Sequence, residues 1–220
     1  MLARVLEPEV MDTPAEARDY DAMDHRAVNR VFIADFLDAW DGRGPVLDVG
    51  TGTAQIPIAL CQQHEQVEMT AIDYAEEMLK LAAANVVRAR LERRVRLERC
   101  DAKRMPYHDG AFGAVISNSI VHHIPEPQRV LREMLRVTRP GGWLFIRDLL
   151  RPSDDQQVRH LVRTYAGDAN AHQRQMFEDS LRAALTLAEI QELVSELGFP
   201  AKTVKQTTDR HWTWAARRGD

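Results

Sequence analysis

The chain has 220 residues, a formal net charge of −4 and a sequence pI near 6.1. This length suits one α/β domain, and the mild acidity argues against nucleic acid as the main partner, because phosphate binding favours a basic surface. The two cysteines, Cys61 and Cys100, lack metal-like spacing, and no apolar run approaches the roughly 20 residues that a membrane span needs. The first residues do not have the pattern of a signal peptide. These features predict a cytoplasmic protein with no nucleic-acid or membrane partner.

Two helices are predicted over residues 13–40, where they would cap the fold. The first begins at Thr13, because Thr13, Pro14 and Glu16 have the residue types and spacing of an N-terminal capping box. The second has apolar residues at helical spacing and ends at the turn cluster of residues 41–45.

Residues 41–150 alternate short apolar strands with amphipathic helices, the last of which is predicted to end at Pro140. This alternation predicts a Rossmann-like, doubly wound α/β sheet that is mostly parallel and has helices on both faces. Sheets of this kind bind ligands beyond the carboxyl ends of their strands. The residues that directly follow each strand are therefore the candidates for a cofactor-binding site.

Residues 152–185 interrupt the alternation with two or three polar helices, which we interpret as a helical lid inserted into a single domain. Residues 186–216 then predict a final helix, capped at Thr186, and an antiparallel edge hairpin. Within this hairpin, Trp212 and Trp214 are expected to pack in the core. Their alternative role is a contact between the two copies of a homodimer.

The motif VLDVGTGTAQ, residues 46–55, carries the strongest chemical signal. A buried strand delivers Asp48, and Gly50 and Gly52 then allow a tight turn and the close approach of a ligand. A dinucleotide fingerprint would need glycine where Gln55 stands, and Asp48 would repel a pyrophosphate. The ammonium group of S-adenosylmethionine suits that charge. A purely structural strand–turn–helix is the alternative.

Acidic residues also follow the second and third strands. Asp73 can accept hydrogen bonds from both hydroxyls of a ribose, and Tyr74 and Met78 lie where they can pack on the nucleoside. Asp101 can accept a hydrogen bond from the adenine amino group, and the Ala102 backbone can donate one to the ring. The structural alternatives are a helix N-cap for Asp73, a core position for Met78 and a turn for Asp101.

The fourth strand ends at Asn118, whose backbone carbonyl can contact the methionine part of such a cofactor. His122 and His123 follow. Adjacent histidines cannot easily share one ion and no third ligand has convincing spacing, so no metal site is predicted. One of the two, with His123 as the candidate, can act as a base or orient the substrate. Packing in the fold is the alternative for either.

These motifs occur in the order and spacing of the class I S-adenosylmethionine-dependent methyltransferases. The chain resembles that family, particularly its ubiquinone/menaquinone-biosynthesis-like branch with small-molecule acceptors. The resemblance covers roughly residues 40–150 and, more weakly, residues 186–216. It includes the stretch MPYHDGAFGAVISNSIVHHI, residues 105–124, which looks like the family's segment of the same pattern.

The resemblance implies S-adenosylmethionine as the cofactor and S-adenosylhomocysteine as the product. The methionine end would lie at Gly50 and Gly52, the ribose at Asp73 and the adenine at Asp101.

Two residues depart from the family pattern. Ala54 replaces a common third glycine, and Gly113 replaces the usual aspartate after a phenylalanine. No N-P-P-Y motif follows the fourth strand, so methylation of a nucleobase or of a glutamine amide is not supported.

Methyl transfer of this kind is an in-line displacement in which the protein aligns the reactants and excludes water. The elements that cover the sheet edge should therefore recognise the acceptor. The candidates are Tyr20 and His25 in the N-terminal helices, Arg147 at the end of the fifth strand, and Tyr165 and Arg174 in the lid, with Tyr20 also a catalytic candidate. Because the lid is polar, we expect a small polar acceptor.

Three other functions are compatible with these patterns. A nicotinamide-dependent oxidoreductase would have the same sheet. A non-catalytic scaffold would keep the fold without needing the acidic residues after the strands. A third possibility is an enzyme that binds S-adenosylmethionine on this fold and catalyses a reaction other than methyl transfer.

Overall fold

The computed structural model describes residues 2–8, 10 and 12–219. The helices and strands in this part of the chain are, in order, α1 (Pro14–Ala22), α2 (Arg26–Ala39), β1 (Val46–Val49), α3 (Gln55–Gln63), β2 (Met69–Asp73), α4 (Glu76–Ala89), β3 (Val95–Arg99), β4 (Phe112–Asn118), α5 (Pro127–Val137), β5 (Thr138–Leu149), α6 (Asp155–Ala166), α7 (Ala171–Ala183), α8 (Leu187–Glu196), β6 (Val204–Gln206) and β7 (His211–Arg217).

Within the described residues, seven strands form one sheet in the order β3-β2-β1-β4-β5-β7-β6. The pairs among β1 to β5 are parallel, whereas β7 runs antiparallel to both β5 and β6. This arrangement confirms the predicted Rossmann-like sheet with an antiparallel C-terminal edge. The chain leaves β1 toward β2 on one side and reaches β4 on the other, which makes the gap between β1 and β4 the switch point where such sheets bind ligands.

Apolar side chains bury both faces of the sheet. Along β4, Ala114 and Ile116 belong to one apolar cluster with residues of α2, α3 and α4, while Val115 belongs to a second cluster with residues of α5 and α8. This alternation follows from the two-residue period of a strand. Trp212 and Trp214 are fully buried in the second cluster, as expected for core residues.

The boundary between α5 and β5 differs from the sequence prediction. The helix ends at Val137 instead of continuing to Pro140, and Thr138 begins the strand. A residue that precedes proline disfavours the helical conformation, which ends the helix before Arg139. The Thr138 hydroxyl donates a hydrogen bond of 2.7 Å to the Met134 carbonyl and closes the last turn.

The covering elements surround the carboxyl edge of the sheet. The predicted capping boxes at Thr13 and Thr186 are present, and the lid contains two helices, α6 and α7, which we call the lid helices. Residues 2–8, the N-terminal strap, cross α7, where the Val5 amide donates to the Arg182 carbonyl. Local sequence patterns did not anticipate this strap. None of the helices in the described ranges is both long and apolar enough to cross a membrane.

Gly113, which departs from the family pattern, lies where the chain packs tightly against the backbone of a neighbouring loop. A Cβ atom there would lie 2.2 Å from the Arg43 carbonyl oxygen and 2.9 Å from the Cα of Gly44. These are backbone atoms, so the clash cannot be relieved by moving a side chain.

We predict that Gly113→Ala lowers the free energy of unfolding by about 1–3 kcal/mol, the usual range for overpacking. Urea denaturation monitored by circular dichroism measures the change. The control is Gly219→Ala, since no heavy atom lies within 4 Å of a Cβ built at that position. Equal stability of the two variants would contradict the prediction.

Candidate active site

A cavity of about 750 Å³ opens at the switch point between β1 and β4. Its wall combines the carboxyl ends of the central strands with α1, α2 and the lid helices. Cavities of about 300–1,000 Å³ hold drug-sized ligands, so this volume suits one large ligand or two smaller ones. The sequence-predicted residues that line it are Tyr20, His25, Gly50, Gly52, Asp73, Tyr74, Met78, Asp101, Ala102, Asn118, His123 and Tyr165.

Residues 50–54, the glycine loop, bring backbone directly to the cavity. Gly50 and Gly52 have positive φ angles of 76° and 54°, which favour glycine. A Cβ at Gly50 would lie 1.9 Å from the Ile120 side chain, and one at Gly52 would lie 3.3 Å from the Tyr20 ring. The loop therefore needs glycine at both positions because of its conformation and its close contacts.

Asp73 connects the end of β2 to the glycine loop. Its Oδ2 accepts a hydrogen bond of 2.8 Å from the Gly52 amide, and its Oδ1 accepts one of 2.9 Å from the Ala75 amide. Burial raises the pKa of this carboxyl. The N-cap of α4 is Ala75, which makes no side-chain capping bond, so Asp73 is not the helix cap. Two bonds from backbone fix its position in the cavity wall.

Asp48 was predicted to point toward a cationic ligand group, but it does not line the cavity. It is only 2% exposed and lies in β1 beneath the glycine loop. Burial raises the pKa of its carboxyl to about 7; the Asp73 carboxylate adds to this shift and Thr51 opposes it. Asp48 therefore lies beneath the wall of the cavity and makes no direct contact with its interior.

Tyr20 and His25 form the roof above the glycine loop. Their rings lie 4.8 Å apart between centroids. Burial raises the pKa of the Tyr20 hydroxyl to about 12, with further contributions from Asp73 and Asp48. The hydroxyl is therefore protonated at neutral pH, where it can donate a hydrogen bond to a ligand but cannot serve as a base.

Asp101 and Asn118 complete the strand-end polar groups. The Asp101 Oδ1 accepts a hydrogen bond of 2.8 Å from the Lys103 amide. The Asn118 Oδ1 is buried and has no hydrogen-bond partner among residues 2–8, 10 and 12–219. Because an unpaired buried acceptor is costly, this oxygen is available to a ligand that brings a donor.

Two predicted substrate-binding residues lie outside the cavity lining. Successive side chains of a strand point to opposite faces, so Arg147 faces away from Asp148. The Arg147 guanidinium donates to the Thr213 hydroxyl at 2.8 Å and pairs with Asp35 at 2.5 Å. Arg174 donates to the Ala169 carbonyl at 2.7 Å within its own lid. The predictions for both arginines are corrected: each stabilises the fold around the cavity.

Tyr165 lies at the rim of the cavity, where it joins the lid to the hairpin. Its hydroxyl donates to Asp209 at 2.6 Å, and the Arg210 guanidinium lies 3.3 Å above its ring. This contact closes one side of the cavity.

The two adjacent histidines meet two acidic residues that sequence spacing did not reveal. His122 Nδ1 lies 2.5 Å from Asp148 Oδ1, and its Nε2 lies 3.4 Å from Glu7 Oε1. His123 Nδ1 lies 3.1 Å from the same Glu7 oxygen. Glu7 belongs to the N-terminal strap, far from the histidines in sequence, so no local pattern could have identified it. The sequence offered no third ligand at convincing spacing, whereas the fold brings Glu7 next to both rings.

Charge and burial affect the two rings differently. Burial lowers the pKa of His122, but the carboxylates of Asp148 and Glu7 outweigh burial and raise it overall. Burial and the neighbouring His122 lower the pKa of His123 to about 3. His123 is thus neutral at physiological pH, and Asp148 orients the His122 ring.

Comparison with known proteins is consistent with this geometry. Residues 47–146 match the family model described as a methyltransferase domain. The chain is 32% identical over 177 residues to 27-O-demethylrifamycin SV methyltransferase of Amycolatopsis mediterranei, a match that covers 79% of this chain and 61% of that protein. It is 29% identical over 140 residues to demethylmenaquinone methyltransferase of Desulfitobacterium hafniense, with 58% and 55% covered. The chain thus spans about half to three fifths of the length of these relatives.

Solved structures share the fold at low sequence identity. A SAM-dependent methyltransferase from Aquifex aeolicus aligns with a TM-score of 0.69 and 19% identity, covering 93% of this chain and 98% of that one. The [4+2]-cyclase SpnF aligns with a TM-score of 0.63 and 18% identity, covering 100% and 99%.

The doubly wound sheet, the glycine loop and the strand-end acids form a Rossmann-like site of the kind that binds nucleoside cofactors. Together with the family match, they show that residues 47–146 form a methyltransferase domain with the class I S-adenosylmethionine-dependent fold. This assignment replaces the alternative of a nicotinamide-dependent oxidoreductase.

Asp48 makes stability depend on pH in a defined direction. Its pKa is raised from an ordinary value of 3.8 to about 7, so the folded state binds more protons than the unfolded state between these values. Stability relative to Asp48→Asn should therefore fall as pH rises from 4 to 7, by at most about 4 kcal/mol, and then level off.

Urea denaturation of both proteins across this pH range measures the difference. Asp38→Asn, at an exposed position of α2, is the control and should track the unaltered protein. A pH-independent difference between Asp48→Asn and the unaltered chain would show that the carboxyl is not perturbed as described.

Proposed function

We propose that this chain transfers the methyl group of S-adenosylmethionine to a small polar acceptor. The observation that carries the proposal is one continuous cavity that joins the glycine loop and Asp73 to the lid helices. A cofactor at the strand ends would leave the space beneath the lid for the acceptor. The similarity of residues 47–146 to a methyltransferase domain supports methyl transfer, whereas the polar acceptor is inferred from the lining of the cavity.

The residues at the strand ends fit this cofactor. The glycine loop, at Gly50 and Gly52, presents backbone without side chains to the methionine portion, and the unpaired Asn118 Oδ1 can accept a hydrogen bond there. Asp73 would hold the ribose hydroxyls, since a carboxylate accepts several hydrogen bonds and this one is already fixed by backbone amides. Tyr74 would pack beside the ribose.

The far end of the cofactor pocket suits adenine. Asp101 would accept a hydrogen bond from the exocyclic amino group, and the Ala102 amide would donate one to the ring. Met78, which is buried and lines the cavity, would pack on the nucleoside.

When bound, the cofactor supplies an activated methyl group for in-line displacement. The chain's own contribution is to orient the acceptor and to exclude water. The Tyr20 hydroxyl, protonated at neutral pH, would donate a hydrogen bond to a ligand above the glycine loop. The lid helices and α2 cover the acceptor space from opposite sides.

The lining of the lid side favours a polar acceptor with an apolar part. Thr164, Gln173 and Ser180 offer hydrogen-bonding groups, while Met176 and Phe177 offer apolar surface. With Arg147 directed elsewhere, a carboxylate of the acceptor would instead be recognised by the two arginines that line the cavity, Arg163 and Arg210.

Asp73→Asn should weaken binding of S-adenosylhomocysteine by about 10- to 100-fold, because hydrogen bonds to a charged group contribute about 1.5–3 kcal/mol. Isothermal titration calorimetry measures the affinity. Asp38→Asn serves as the matched control and should bind as the unaltered chain does. Unchanged affinity in Asp73→Asn would remove Asp73 from the cofactor site.

The acceptor class can be tested with a methyl-labelled donor and a panel of polar phenols, amines and hydroxy acids beside long-chain quinone precursors. We expect label in products from the polar group and matching formation of S-adenosylhomocysteine. Preferential labelling of the quinone precursors would contradict the polar acceptor. Tight cofactor binding with no transfer to any member of a broad metabolite extract would contradict methyl transfer itself.

A further inference from the structure

We propose that His122 Nε2, His123 Nδ1 and Glu7 Oε1 form a binding site for a divalent transition-metal ion, with Zn²⁺ as the best match. The three donor atoms come together only when the N-terminal strap, which carries Glu7, lies against the turn after β4. The site is independent of methyl transfer, since it requires neither cofactor nor acceptor.

The separations between the donor atoms match those around a four-coordinate ion. Glu7 Oε1 lies 3.4 Å from His122 Nε2 and 3.1 Å from His123 Nδ1, and all three donors lie within 4.8 Å of one another. Zinc binds imidazole nitrogen and carboxylate oxygen at about 2.0–2.2 Å, so tetrahedral neighbours are about 3.3–3.5 Å apart. Small side-chain movements would bring the donors to a common distance from one ion.

The hydrogen-bonding pattern leaves these donors free for an ion. Glu7 Oε1 and His123 Nδ1 are both buried and have no hydrogen-bond partner in the part of the chain that the structure describes. Their side chains are only 11% and 12% exposed. Two buried, unpaired acceptors that face each other are unfavourable, and a cation between them removes that cost.

Asp148 gives the site the outer support that metal-bound histidines usually have. One Asp148 oxygen contacts His122 Nδ1, and the other accepts hydrogen bonds from the Val121 and His122 amides at 2.6 and 3.2 Å. This contact directs Nε2 of His122 toward Glu7. Carboxylates in this position fix the ring and increase its basicity.

The charges at the site also suit a divalent ion. Glu7 and Asp148 place two carboxylates against the imidazole rings, so a 2+ ion that takes the place of a proton on His122 would lie beside two negative groups. Arg4 donates to the carbonyls of His122 and Ile124 at 3.0 Å and fixes the backbone of the turn. Magnesium and calcium prefer oxygen donors, so two imidazoles favour a transition metal.

The fourth coordination position would face the cavity. His122, His123 and Ser180 all line it, while Glu7 approaches from the strap. Three protein donors with one open position is the arrangement of catalytic rather than structural zinc sites. A water molecule would take that position.

The first test uses the untagged full chain after chelation and dialysis. Titration with Co²⁺ should produce the visible absorption of four-coordinate cobalt with one ion per chain, and Zn²⁺ should displace it. X-ray absorption at the zinc edge should then show nitrogen and oxygen neighbours only. Absence of the cobalt spectrum in the unaltered protein overturns the proposal, whatever the variants do.

The second test compares matched variants by calorimetry with Zn²⁺. Glu7→Gln and His123→Gln should each weaken binding at least tenfold, whereas the controls Glu192→Gln and His172→Gln, at exposed positions, should not. Equal affinity of all four variants overturns the site.

S-adenosylhomocysteine binding, measured in parallel, separates the two proposals. Zinc binding without nucleoside binding would leave this site standing and contradict the proposed function. The reverse result would retain the proposed function and remove the metal site.

Discussion

The carboxylate of Asp73 is the contact on which the arrangement of the cavity depends. It accepts hydrogen bonds from the amides of Gly52 and Ala75, and so joins the loop after β1 to the start of α4. Because the loop is held from below, Gly50 can pack under Ile120 and Tyr20 can lie over Gly52. The same carboxylate lines the cavity, so the group that shapes the loop is also available to a ligand. The shape of the site and its binding chemistry are thus coupled in one residue.

Two neighbouring charged residues of β5, Arg147 and Asp148, have different roles in the site. Arg147 points to one face, where it pairs with Asp35 and attaches α2 to the sheet. Asp148 points to the other, where it orients His122 beneath the cavity. The alternation of side chains along the strand places these charges on opposite sides of the sheet, where they do not neutralise each other. The same strand therefore holds α2 over the cavity through Arg147 and fixes His122 through Asp148.

The sequence predicted those features of the fold that depend on short-range interactions. The strand–helix alternation, the capping boxes and the need for glycine at positions 50 and 52 all follow from interactions between near neighbours. Arg147 was misplaced because which face of β5 meets the cavity depends on packing of distant helices. Glu7 was missed for a related reason, since only the folded chain brings the strap to His122 and His123. Asp48 was predicted as a direct ligand because sequence does not tell the depth of a strand end beneath its loop.

The two helices that cover the cavity, α2 and α6, are held to the rest of the fold by different kinds of contact. On one side α2 buries Phe32 and Phe36 in the core and is bonded to Arg147, so moving it would expose apolar surface to water. On the other side α6 meets the hairpin through Tyr165 and Asp209, a contact at the protein surface. Segments held by exposed contacts open at lower cost than segments held by buried ones. Although Val158 and Leu161 bury the rest of α6, its C-terminal end at Tyr165 can therefore separate from the hairpin at lower cost than α2 can leave the sheet.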